Sequence, residues 1–222
     1  MNRPILAIVV TLMVTACSSE PSPTPNPPCP TEPPTSVSAQ ASLEGAAVAT
    51  VSVSGAVEGS FDIELLGDAA PLATANFVDL ARCGFYDGIT FHRVLAGFVI
   101  QAGDPQTRTN QGDFQGLGTG GPGYAFEIEP PADGLRYDPY VVAMANDTRA
   151  NGSQFFIDLV DLDDALRQAG VYTIFGRVAT GTEVIDEIAT VPVNDPRIGL
   201  PLTPVVIDSI VVSAGAEPSP GE

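Results

Sequence analysis

The chain has 222 residues, and its nine cationic side chains, all arginine, stand against 27 acidic ones for a formal net charge of −18 at pH 7. That balance repels a polyphosphate backbone, so nucleic acid is ruled out as a partner and the acidity reads as a solvated surface. A single histidine and no cysteine pair at metal-ligand spacing leave no transition-metal site in the sequence, and serine-type hydrolysis lacks its base.

Residues 1–16 hold one cation, Arg3, and an apolar run over residues 5–14, and Thr15-Ala16 precede Cys17. The run is ten residues long, too short to cross a hydrocarbon core of about 30 Å as a helix but right for a signal peptide. Val14-Thr15-Ala16-Cys17 resembles a bacterial lipobox. The expected leader is therefore 1–16, with Cys17 as the acylated mature N-terminus holding an exported chain at the outer side of a cell membrane. Secretion without lipid is the alternative.

Residues 17–45 read as lipidated cysteine plus linker. Residues 18–36 are dominated by Pro, Ser and Thr, with too few apolar side chains to offset ordering, so an extended polyproline II spacer of about 3.1 Å per residue is expected. A ligand for a proline-recognition module is the alternative. With Cys17 assigned to lipid, Cys29 and Cys83 either bridge linker to domain or remain two free thiols.

Residues 46–213 are one domain by size. Strands are expected over 51–54 and 61–65, where apolar and polar residues alternate, and over 141–145, 154–158, 172–178 and 205–212. Pro71 opens a helix with Leu72, Ala73, Phe77, Leu80 and Ala81 at helical spacing, ended by Arg82 and Gly84. A shorter helix follows Gly181, with Thr182 as its cap, Val184, Ile185 and Ile188 as its apolar face and Pro192 beyond it. The glycine-rich stretch 112–124 has no lysine and no Gly-Lys-Ser/Thr ending, so it reads as an irregular loop rather than a phosphate cradle. Residues 214–222 are a small, polar tail expected to be disordered. Many short strands with two helices predict a mainly β domain with a closed or nearly closed sheet.

Three blocks carry the chemistry: Phe91-His92-Arg93-Val94-Leu95-Ala96-Gly97-Phe98-Val99-Ile100-Gln101-Ala102-Gly103-Asp104, then Met144-Ala145-Asn146, then Gly152-Ser153-Gln154-Phe155-Phe156-Ile157. Strand parity puts Gln154 with Phe156 on one face and Phe155 with Ile157 on the other, groups Val99 with Gln101, and turns His92 and Arg93 apart. One face is thus mixed polar and apolar, as a binding groove requires. Read alone, Phe98 and Phe156 are also plausible core, Arg93 a surface ion pair and Asn146 a turn residue.

In order and spacing these blocks resemble the cyclophilins, over about residues 59–212. The resemblance implies a closed eight-stranded antiparallel β-barrel capped by two helices, and a peptidyl-prolyl cis/trans isomerase that needs no cofactor. It implies Arg93 as the catalytic residue and His92 as internal. It also implies a substrate groove of Phe98, Val99, Gln101, Ala145, Asn146, Gln154, Phe156, Leu166 and Tyr172. The expected partners are proline-containing segments of exported or surface proteins whose folding the enzyme, a monomer, assists. The alternative is a non-catalytic module that retains such segments as a chaperone or scaffold. Two departures stand out: the chain has no tryptophan, from which many cyclophilins contact cyclosporin, and Tyr172 stands where a histidine often occurs. The segment 159–171 is longer than usual, which bears on Leu166. Its Asp161, Asp163 and Asp164 lack EF-hand spacing, so a solvated acidic loop is the simpler reading than calcium. No general base of the proposed groove titrates near neutrality, so a rate flat from about pH 6 to 9 is expected.

Overall fold

The computed structural model describes residues 26–110, 116–147 and 149–214. The expected leader, the expected acylation site Cys17, residues 112–115 of the glycine-rich stretch and tail residues 215–222 lie outside the described residues.

Alternation sets the strands. β1 (Val48–Gly55) buries Ala49, Val51 and Val53, β2 (Gly59–Leu65) buries Phe61, Ile63 and Leu65, and the two pair antiparallel. They join β3 (Arg93–Val94), β4 (Val99–Ala102), β5 (Val141–Asn146), β6 (Asn151–Asp158), β7 (Ile174–Thr180) and β8 (Val205–Ser213) in one sheet. Its order is β3, β4, β6, β5, β7, β2, β1, β8, antiparallel at every pairing. The sheet curls until residues 88–91, just ahead of β3, meet β8 through the isolated bridge Thr90↔Val206 and the bonds from Phe91 N to Val205 O (3.0 Å), Ile207 N to Ile89 O (2.8 Å) and Gly88 N to Ile207 O (2.8 Å). The expected closed barrel is corrected on this point. β3 is two residues long, and Val94 N donates to Gly199 O in the loop ahead of β8 rather than to β8 itself, so no ladder joins β3 to β8.

The two faces carry separate apolar clusters. Inside the curl lie Phe61, Ile63, Phe77, Met144, Phe155, Ile157 and Phe175. On the outer face of β4, β5, β6 and β7 lie Val99, Val141, Ala143, Phe156 and Ile174, with Tyr137, Leu162 and Leu166 packed over them.

Among the described residues four α-helices flank the sheet where two were expected. α2 (Pro71–Arg82) runs as anticipated, with Pro71 in its first turn. Ala70 gives it no side-chain cap; Glu129, far along the chain, accepts instead from Leu72 N (2.9 Å) and Ala73 N (2.8 Å), where a carboxylate also suits the helix dipole. α4 (Thr182–Ile188) begins one residue earlier than a Thr182 cap requires, so the cap position falls to Gly181. Its flank Gly181 has φ 76°, and a Cβ there would lie 2.5 Å from Ser60 O, so only glycine fits. α3 (Asp163–Ala169) occupies the extra length of the 159–171 segment.

α1 (Ser36–Leu43) corrects the linker boundary, because residues 36–43 are folded onto the domain. Thr35 and Ser38 form a reciprocal capping box, Ala39 is buried, Ser42 Oγ donates to Asp79 of α2 (2.7 Å) and Arg82 donates to Ser42 O (2.7 Å). A helix this short is marginal alone and is held by the helix it packs on. Just upstream, Cys29 and Cys83 form a disulfide, S–S 2.01 Å, that fastens the proline-rich strap to the C-terminal end of α2. In the acidic loop, Asp161 pairs with Arg136 and Asp163 with both Arg136 and Arg167, so these carboxylates serve ion pairs around α3.

Unreduced protein is expected to yield Cys29 and Cys83 as one linked peptide, with neither thiol alkylated. Closing a span of 54 residues contributes about 4 kcal/mol in the chain-entropy model, so Cys29→Ser should lower the unfolding free energy by up to that amount in denaturant titration. Alkylation of both thiols without reductant would exclude the bridge.

Candidate active site

A single row of side chains crosses the outer face. Arg93 of β3 stands opposite Gln101 of β4, Gln101 opposite Phe156 of β6, Phe156 opposite Ala143 of β5, and Ala143 opposite Ile174 of β7. Directly paired residues share a face, so the register alone brings a guanidinium, an amide and an aromatic ring into line. The β3–β4 connection is a tight loop in which Leu95 N bonds Val99 O (2.9 Å) and Phe98 N bonds Leu95 O (2.9 Å). Gly97 supplies its positive φ of 73°, and the loop sets Phe98 beside Arg93.

Nine of the ten residues expected in the groove line one cavity of about 260 Å³: Arg93, Phe98, Val99, Gln101, Ala145, Asn146, Phe156, Leu166 and Tyr172. Ala169, on the same helix as Leu166, joins them and has no counterpart in the sequence reading. The tenth, Gln154, lines an adjoining cavity of about 480 Å³ that shares Gln101, Ala145 and Asn146 with the first. Val99, Phe156 and Leu166 are buried, and Phe156 meets the Tyr172 ring edge-on at 5.5 Å.

Amides hold the cation. Gln154 Nε2 donates to Gly120 O (2.8 Å), Gln101 Nε2 donates to Gln154 Oε1 (2.9 Å), and Arg93 Nη1 donates to Gln101 Oε1 (3.4 Å). The guanidinium lies 5.6 Å from the centre of the Phe98 ring. Among the described residues no carboxylate pairs with Arg93. Burial lowers its pKa from the ordinary value, partly opposed by Tyr172. His92, next in sequence, is buried on the opposite side, and burial drives its pKa down to about 4 against the pull of Asp104. It is neutral at pH 7 and is not part of the groove.

Asn146 does double duty: it lines both cavities and its Nδ2 donates to Val171 O (2.8 Å), fixing the segment that carries Tyr172. Tyr137 escaped the sequence reading because it lies outside any periodic stretch. Its buried ring supports the groove from behind, Oη donating to Tyr172 O (2.7 Å) and accepting from Tyr172 N (3.2 Å), while its own N donates to Asp163 (3.2 Å).

Residues 48–212 match the family described as "Cyclophilin type peptidyl-prolyl cis-trans isomerase/CLD". The chain belongs to the cyclophilin family. A Streptomyces anulatus protein named peptidyl-prolyl cis-trans isomerase B is 41% identical over 172 residues, 69% of this chain and 91% of its own length. Its Bacillus subtilis namesake is 42% identical over 123 residues, 55% of this chain and 78% of its own. A crystal structure of a Cryptosporidium parvum cyclophilin type peptidyl-prolyl cis-trans isomerase superposes with a TM-score of 0.64 at 29% identity, covering 78% of this chain and 99% of that one. A second structure of it, in the presence of the dipeptide Ala-Pro, gives 0.62 at 30% identity, covering 74% and 98%.

One feature of this cyclophilin groove runs against its own logic. Asp158 ends β6 on the same face as Phe156, opposite Val99, with its carboxyl fully buried and neither oxygen hydrogen-bonded among the described residues. Burial first, and Asp138 second, push its pKa up to about 8. The acid is protonated at neutrality, and it lies beneath the groove rather than among the residues that line it.

An unfolded aspartate ionises near 3.9, whereas folded Asp158 keeps its proton to about 8. Between those values the folded state binds the extra proton, so its contribution to stability falls as pH rises from about 4 to 8 and the loss is complete above that. Asp158→Leu, similar in shape and free of unsatisfied oxygens, is expected to raise the unfolding free energy at pH 8 by roughly 2 kcal/mol. The gain should shrink as the buffer approaches pH 4. A variant equally or less stable than wild type at pH 8 would contradict this account of the carboxyl.

Proposed function

We propose that this groove rotates X-Pro bonds in exported or surface proteins and so assists their folding. Amide resonance opposes rotation by about 18 to 20 kcal/mol, because nitrogen shares its lone pair with the carbonyl. A donor aimed at the prolyl nitrogen as it becomes pyramidal localises that pair and weakens the partial double bond. Arg93 is suited to this role, being permanently charged, held by Gln101 and without a competing carboxylate among the described residues. The proline ring takes the apolar side formed by Phe98, Val99, Phe156 and Leu166. There the planar, more polar amide loses solvation relative to the twisted state. Gln101 and Gln154 orient the substrate backbone, and residues ahead of proline pass along Ala145 and Asn146. The mechanism uses no covalent intermediate and no general base. A millionfold acceleration asks about 8 kcal/mol of these effects together.

The observation that carries this reading is the guanidinium, without a carboxylate partner among the described residues, fixed over an apolar cavity by an amide relay. Support for export comes from the leader, the Val14-Thr15-Ala16-Cys17 sequence and a disulfide of the kind that persists in oxidising compartments. We infer an extracytoplasmic enzyme tethered through an acylated Cys17 and acting as a monomer.

In a protease-coupled assay on an Ala-Pro test peptide, Arg93→Ala should lower kcat/KM by on the order of a hundred- to a thousandfold with the fold intact by circular dichroism. Equal rates in both proteins would leave a proline-binding module in place of an enzyme. The wild-type rate should be flat from about pH 6 to 7 and fall only as Asp158 ionises near 8. In Asp158→Leu that alkaline fall should vanish, and a bell-shaped profile in the variant would contradict catalysis without a general base.

A further inference from the structure

Three of the residues that line the smaller cavity, Leu166, Ala169 and Tyr172, come from one stretch of chain, α3 and the residues that follow it. Arg93, Val99, Gln101 and Phe156 are fixed by the ladders of β3, β4 and β6, whereas residues 159–173 lie outside the sheet. One residue ties down both ends of that stretch. At its start Leu162 N donates to Tyr137 O (2.8 Å), and at its end the Tyr137 hydroxyl donates to Tyr172 O (2.7 Å) and accepts from Tyr172 N (3.2 Å). Tyr137 itself is fully buried and lines neither cavity. Asp163, buried at the first position of α3, grips it from the helix side. One carboxyl oxygen accepts from Tyr137 N (3.2 Å) and Arg167 Nε (3.0 Å), the other from Arg136 Nη1 (3.1 Å). Arg167 first, then Tyr137 N and Arg136, hold this carboxyl below the usual carboxylate range. The Arg167 guanidinium also stands 5.7 Å from the centre of the Tyr137 ring and donates to Leu135 O (2.8 Å), closing the clasp.

We propose that Tyr137 is a positioning residue: clasped by Asp163, it holds the α3 stretch against the sheet and so sets the size of ring that the Arg93 cavity admits. The inference rests on the reading of that cavity as the prolyl site. Tyr137 touches no substrate and acts through Leu166, Ala169 and Tyr172. The clasp shares no residue with the amide relay of Gly120, Gln154 and Gln101, so loosening it leaves Arg93 in place and changes only the packing of the ring. Apolar packing of the ring is made alike in the planar and the twisted substrate, so its loss raises KM and leaves kcat. A cavity held to a fixed width also rejects a ring one methylene larger, on the scale of about 10- to 200-fold for a hydrophobic pocket. A slack one does not.

The test uses the full chain and two peptides that differ only in the ring, one with Ala-Pro and one with its six-membered homologue, alanyl-pipecolic acid, with kcat and KM resolved separately. Wild type should favour proline by about tenfold or more in kcat/KM. Tyr137→Phe removes one hydroxyl and leaves Tyr172 N and O without it. With the fold intact by circular dichroism, it should raise KM for the proline peptide about three- to tenfold, the scale of one lost buried hydrogen bond, and keep kcat within about twofold. It should also lower the ring preference about threefold, a ratio that partial unfolding, which reduces both rates alike, does not move. Asp163→Asn keeps an oxygen for Tyr137 N but removes the charge that holds Arg136 and Arg167, and should shift KM and the ring preference the same way by a smaller factor; it carries the test where Tyr137→Phe fails to fold. Asp164→Asn, exposed and next along α3, should shift neither. A wild type indifferent to ring size, an unchanged ring preference in the folded variants, a fall in kcat at constant KM, or an equal shift in Asp164→Asn would overturn the proposal. Absence of wild-type turnover on both peptides would remove the isomerase reading itself, and this inference with it.

Discussion

Because side chains alternate across a strand, the neighbours Phe155 and Phe156 must face opposite sides of β6. Phe155 seals the interior against Phe77 and Tyr86, while Phe156 becomes the floor of the outer cavity. Everything distinctive about this domain follows from that doubling. One strand supplies both the core that holds the sheet together and the surface that meets substrate, and a slip of one residue would exchange the two. The interior cluster is what fixes the register on which the Arg93, Gln101 and Phe156 row depends.

The outer cluster is dry enough to have electrical consequences. Placing Arg93 beside Phe98 and over buried apolar residues makes its charge effective, and the same lack of solvation keeps Asp158 protonated. A neutral acid cannot serve as counterion, so the carboxyl that folding places on this face leaves the cation's charge intact. The amide relay from Gly120 through Gln154 and Gln101 gives orientation without neutralising charge, which a carboxylate in the same place would do.

Most of the sheet was legible because its strands alternate, and α2 and α4 were legible because Pro71 and Gly181 punctuate them. α1 was missed for a physical reason: Ser-Val-Ser-Ala-Gln-Ala-Ser-Leu has no apolar stripe, and it folds through a cap and a partner helix that only tertiary structure reveals. α3 was hidden in a loop that seemed merely long. The closed barrel failed at β3, whose two residues carry too little pattern to show how few bonds it makes. At the site, the family blocks and strand parity placed Arg93 and its neighbours together. Tyr137 lacked any periodic signal. Asp158 had one, since Gln154, Phe156 and Asp158 share a face and a charge at the end of such a stripe is anomalous, but its protonation depends on burial by residues far along the chain.

The disulfide shortens the leash. On the anchoring proposed above, the chain between lipid and domain is only the stretch from Cys17 to Cys29, because Cys29 is bonded to the end of α2. Twelve residues, counted as 29 − 17, span at most about 40 Å fully extended. On that proposal, the working radius of the domain over a bilayer is set by one covalent bond rather than by the length of the proline tract.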